Sequence, residues 1–175
     1  MMTGFPPATA CTRINPTADD EVVWGQRIDP ARIIIDNIPL PESNHRFRDI
    51  VLHDGAANGT RSWHDTEVPV FDELELWQPS PYATFQVTTH TEIDALAEIC
   101  LNRDLGFEDW STIRPLCKQC SEGNPGPHAC SNTPGQHRLA VAAQSQSDVE
   151  QAIEEWQRKF PTAPPVQIEL LLPAT

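Results

Sequence analysis

Residues 138–172 read RLAVAAQSQSDVEQAIEEWQRKFPTAPPVQIELLL, and the order of patterns within them decides the fold class. Residues 138–143 form a short apolar run suited to a strand. Ser147 followed by Glu150 has the form of a capping box, and Val149, Ile153, Trp156 and Phe160 then recur at helical spacing. Pro161 ends that helix, because it lacks the N–H that the next turn would need. Val166, Ile168 and Leu170 then alternate along a final strand that runs to Leu172. Residues 82–106 carry a similar succession. A strand rich in Thr, Val and aromatics over 82–89 is followed by Thr91 as a helix cap, with Asp94 three residues on. Ile93, Leu96, Ala97, Cys100 and Leu101 then make one apolar helical face that stops near Gly106.

Two strand–helix units, the second closed by another strand, predict an α+β fold with a mixed or antiparallel sheet and two main helices. A split βαβ of the ferredoxin-like type is the simplest arrangement of them. Ahead of them lie shorter strand candidates at 21–24, 32–36 and 48–53, the second carrying the β-branched run Ile33-Ile34-Ile35. Asp54-Gly55 and Asn58-Gly59 read as turns, 56–66 as a loop, and 68–77 fits a helix or a strand equally. Residues 1–20, with three prolines and little apolar pattern, read as a flexible lead-in. Residues 21–175 then make one α+β domain with a Cys/His excursion at 117–137.

Composition narrows the function. The 175 residues carry 12 basic and 25 acidic side chains, a formal charge of −13, which does not suit a general nucleic-acid binder. No apolar run approaches the roughly 20 residues that cross a bilayer. The first 16 residues have neither the basic start nor the apolar stretch of an export signal. Five cysteines, an odd number with three of them inside 14 residues, do not form a secreted disulfide framework, so a reducing cytoplasm is expected.

Those three cysteines supply the strongest chemical signal. Cys117 and Cys120 are separated by two residues, and seven residues later come His128 and Cys130. Three thiolates and an imidazole satisfy tetrahedral Zn²⁺, and the Gly- and Pro-rich stretch between the pairs can reverse the chain to close the site. With so little apolar content, the segment needs metal to order it, so a structural zinc knuckle is predicted. His137 is the alternative fourth ligand. Four protein ligands make a closed site. With three, water could take the fourth position and Glu122 could act as its general base. Cys100, on an apolar helix face, reads as core filler, and Cys11 as an unpaired thiol.

Two His-Asp pairs, His53-Asp54 and His64-Asp65, are the other candidates for metal or acid–base work, though Asp before Gly or Thr is also ordinary turn chemistry. Trp63 and Trp77 could line a recognition surface, or anchor loops. The sequence therefore predicts a small, acidic, zinc-stabilised protein that acts by protein–protein contact, with a basic partner, and without catalysis. The alternative is a metal-dependent hydrolase that uses an open zinc site or the two His-Asp pairs.

Overall fold

A computed structural model of the chain describes residues 8–18, 20–112 and 138–175. The first half is a closed barrel of five strands: β1 (Ala8–Ile14), β2 (Glu21–Arg27), β3 (Arg32–Ile35), β4 (Ile50–Trp63) and β5 (Thr66–Gln78). Consecutive strands pair antiparallel, and β1 returns to β5 in parallel through Cys11 opposite Val70 and Thr12 opposite Phe71. The second half is a four-stranded antiparallel sheet, order β7-β8-β6-β9. It is built from β6 (Ala83–Thr88), α1 (Ile93–Asn102), β7 (Gly106–Asp109), β8 (Leu139–Ala143), α2 (Gln146–Lys159) and β9 (Gln167–Leu172).

This corrects the expected fold class. The described chain is mostly β, and a single ferredoxin-like α+β unit with short flanking strands does not account for it. The difference lies in the first half. Alternation in β3 sends Ile33 and Ile35 inward, where they meet Ala10, Ile14, Val23, Val51 and Phe71 in a core that the five strands enclose. Residues 8–14, expected to be part of a lead-in over 1–20, are a barrel strand. Ala10, Cys11 and Thr12 are all buried, because Val68 and Val70 of β5 cover the outer side of β1. The expected turns at Asp54-Gly55 and Asn58-Gly59 lie inside β4. Gly55 (φ 80°) and Gly59 (φ 109°) take left-handed conformations where the β4–β5 register slips. A glycine at φ > 0 reads the same in a bulge as in a turn.

In the second sheet the helices cover one face. Phe85, Val87, Leu139 and Val141 meet Leu96, Ile99, Val149, Ile153 and Trp156 there. The other face meets the segment between β3 and β4 together with Trp110, which follows β7, with Ala140 and Ala142 against Ile38, Phe47 and Trp110. Both faces of β8 are therefore closed, and all five of its residues are buried. The caps differ from expectation by a few residues. Ser145, not Ser147, caps α2 by accepting a bond from the Asp148 N–H (3.3 Å). Glu92, not Thr91, precedes α1, with φ 51° and no side-chain cap. The predicted zinc knuckle lies outside the described residues. No helix among the described residues is long and apolar enough to cross a membrane.

Gly25 sits at a close approach within the barrel wall. A Cβ there would lie 2.4 Å from the Ile34 carbonyl oxygen and 2.7 Å from Ile33 Cγ2. The obstacle is partly backbone, so it cannot swing aside as a side chain would. Gly25→Ala is expected to cost about 1–3 kcal/mol in urea unfolding. Unchanged stability in Gly25→Ala would contradict this barrel register.

Candidate functional site

The ionisable groups gather where the barrel meets the sheet, around the connector from β3 to β4 (residues 36–49). The connector has no regular structure beyond a 3-10 turn at Pro41–Ser43, so its backbone groups need partners from elsewhere. Acidic side chains supply many of them. Glu108 on β7 accepts from the Ile38 N–H (2.7 Å) and from Asn37 Nδ2 (2.9 Å). Glu21 on β2 accepts from the Leu40 N–H through both carboxylate oxygens (3.1 and 3.3 Å). Trp110 donates its indole N–H to the Ile38 carbonyl (2.9 Å). Asp49 accepts from the N–H groups of Arg46 (2.8 Å) and Ser80 (2.7 Å).

A buried pair closes this cluster on the barrel side. His45 donates Nδ1–H to the Ser43 carbonyl (2.9 Å), and its Nε2 lies 2.6 Å from Glu73 Oε1. Glu73 also accepts from the Asn15 N–H (3.0 Å). With Nδ1 committed as a donor, a proton on Nε2 makes the pair an imidazolium facing a carboxylate. Burial pulls the His45 pKa down, but the bonds to Glu73 and Ser43 outweigh it and the net shift is upward. Burial pushes Glu73 up, and the bonds from His45 and Asn15 outweigh that, so its net shift is downward. Asp49 and Glu108 are both raised, chiefly by burial. Burial also pushes Glu21 up to about 7, with the Glu108 charge adding to the effect.

Sequence reading named none of these five residues. The signal that could have found them is the polar richness of 36–49 between two strongly apolar strands. Which distant acids answer it depends on tertiary folding. The structure distributes the predicted residues differently. His53 is buried inside the barrel, stacked on Phe71 at 4.3 Å, with Nδ1 accepting from the Gly55 N–H (3.0 Å). Burial and then the Arg27 charge lower its pKa, which favours the neutral ring. Asp54 is exposed and accepts from the Ala56 N–H (2.9 Å). His64 and Asp65 form the exposed turn at the far end of β4, with His64 beside Trp63 and at φ 49°. The two His-Asp pairs are thus held apart. Among the described residues no group of three or more His, Cys, Asp or Glu is placed to hold a metal ion. Cys117, Cys120, Glu122, His128, Cys130 and His137 lie outside the described residues. Burial pushes the thiols of Cys11 and Cys100 up to about 11 and 12, which keeps both protonated and unreactive near neutral pH.

No protein-family model and no curated protein sequence matches the chain. One solved structure, a novel crystal structure of a hypothetical protein from Neisseria gonorrhoeae, aligns over 98% of each chain at 13% identity with a TM-score of 0.39.

The Glu21 carboxyl gives the cluster a pH signature. Its pKa in the folded chain, about 7, stands above the ordinary 4.5, so folding favours the protonated form. That contribution is complete below about pH 4.5 and is lost as pH rises through 7. Glu21→Gln keeps an acceptor for the Leu40 N–H and removes the titration. Thermal unfolding of the two chains should diverge between pH 5 and pH 8, with the variant gaining on the native chain as pH rises. A difference that does not change with pH would contradict the placement of Glu21.

Proposed function

We propose that the chain is a non-enzymatic protein-interaction module whose acidic surface receives a basic protein partner. The observation that carries the reading is an acid excess combined with large apolar side chains in solvent. The chain has 25 acidic against 12 basic residues. Trp63, Leu74, Trp77 and Leu170 are 50%, 65%, 54% and 50% exposed, and all four lie on strands. Large half-exposed apolar groups with charge around them are the composition of a binding surface, where apolar contact supplies affinity and charge supplies approach and selection. The described ionisable clusters support the same side. Most of their hydrogen bonds are directed at the chain's own backbone, as in a structural network.

The second part of the proposal is a structural Zn²⁺ held by Cys117, Cys120, His128 and Cys130, with His137 as the alternative to His128. It rests on the spacing of these residues in the sequence and on the affinity of three thiolates and an imidazole for a tetrahedral ion.

Two measurements test these statements. Against a set of twelve-residue peptides graded in charge, the chain should retain those that combine lysine or arginine with apolar residues, and retention should fall steeply with salt. Equal retention of acidic peptides, or none at all, would overturn the basic-partner reading. Elemental analysis of the purified chain should give one zinc per chain, lost in Cys117→Ser. A folded, metal-free native chain would overturn the zinc.

A further inference from the structure

The barrel closes through β1 on β5, and beyond that closure its β4–β5 ribbon is interrupted by register slips; the second sheet has two further edges. One edge, β7, is four residues long and carries Glu108 and Asp109, the short and charged form by which proteins discourage strand addition. The other edge is β9, whose sequence is Gln-Ile-Glu-Leu-Leu-Leu. Its inner side pairs with β6, from Thr88 opposite Gln167 to Thr84 opposite Leu172. Among the described residues no strand pairs with its outer side, so half of its backbone N–H and C=O groups face solvent.

The usual protections are sparse there. Within β9 there is no proline, lysine or arginine, and one charge, Glu169. The single register slip against β6, between Thr84 and Phe85, leaves 167–170 in regular pairing. Apolar side chains line both sides of the strand. Ile168 joins the core beneath the helices, Leu171 joins the cluster against the connector, and Leu170 is 50% exposed. An added strand would have backbone partners along its length and apolar contacts at alternate positions.

Charge decides between occupants. A second copy of the chain would bring another −13 to the edge, and the antiparallel register centred on Glu169 would set two carboxylates opposite each other. Glu169 is exposed and has no ion-pair partner among the described residues. A lysine or arginine on an incoming strand would meet it directly.

We propose that β9 is the docking edge for an extended segment of a basic protein, which adds as an outer strand with a cationic side chain beside Glu169 and an apolar one beside Leu170. The inference rests on the basic-partner reading above and goes further by naming the surface and the backbone geometry.

The test uses the full chain and two blocked eight-residue peptides. One alternates lysine and valine. The other has the same lysines, with its two central valines replaced by proline, so it keeps the charge and loses backbone donors. Amide exchange is followed along the chain as each peptide is added. The lysine–valine peptide should slow exchange within 167–172 by about tenfold or more, and the proline peptide should not. Glu169→Lys, a change at an exposed side chain, should weaken the lysine–valine peptide at least about fivefold at low salt. Equal effects of both peptides on 167–172 would show attraction by charge alone and overturn strand addition. Protection elsewhere, such as along the β4–β5 ribbon, would overturn the β9 assignment and leave the basic-partner reading standing. Binding of neither peptide at any site would overturn both. A dimer in sedimentation with 167–172 already protected would assign the edge to a second copy and overturn the proposal.

Discussion

The grip of Glu108 on the connector is the contact on which the arrangement of the two halves depends. One carboxylate on β7 takes the Ile38 N–H and the Asn37 amide together, while Trp110, one residue beyond β7, holds the Ile38 carbonyl. Both backbone groups of a buried residue are thus satisfied by the neighbouring sheet. Leaving them unpaired would cost on the order of 1–3 kcal/mol each, which is why an acid is tolerated half-buried at this point. The same segment is held from the barrel by Glu21, and its far end is tied to the chain terminus by Arg46 Nε on the Pro173 carbonyl (2.8 Å). Ser80 completes the joint. It donates its N–H to Asp49 and its hydroxyl to the Phe47 carbonyl (2.6 Å), at the point where the chain leaves the barrel for the sheet.

This joint changes what the acid excess means. Glu21, Asp49, Glu73 and Glu108 are committed to backbone N–H groups or to His45, so part of the −13 belongs to the interior, where burial raises the pKa of Glu21, Asp49 and Glu108 and the bonds from His45 and Asn15 lower that of Glu73. Of the acids that remain in solvent, Asp54, Glu67, Glu75 and Glu169 lie on the strands that also display Trp63, Leu74, Trp77 and Leu170. The surface available to a partner is therefore less charged and more apolar than the composition alone implies.

The helices and the strands β6, β8 and β9 of the second half were legible because their signals are local, whereas β7 was not assigned. Val149, Ile153 and Trp156 repeat every three or four residues and are all buried on α2, and Ile168 alternates into the same core. The barrel was not legible, because closure is a long-range property. Nothing near Cys11 announces that Val70, 59 residues later, will lie beside it. Gly55 and Gly59 misled for a definite reason, since a left-handed glycine serves a bulge within a ribbon as well as the end of one. The connector acids were hidden differently. Glu21 and Glu108 look like ordinary surface residues in sequence, and only the unpaired backbone of 38–40 selects them. Of the candidate site residues, His53 was read as a metal or acid–base group, and it lies instead in the barrel interior. Its burial against Phe71 follows from strand parity, and parity could not be assigned before β4 was known to continue past Asp54.

The central claim is that the connector is clamped between barrel and sheet by buried polar contacts, so that neither half releases it alone. Native-state hydrogen exchange at the Ile38 and Leu40 amides tests this most directly. The account predicts that both exchange as slowly as core amides such as Ile33 in β3 and Val141 in β8, through opening of the whole molecule. Rapid exchange at Ile38 and Leu40 while both cores stay protected would contradict it.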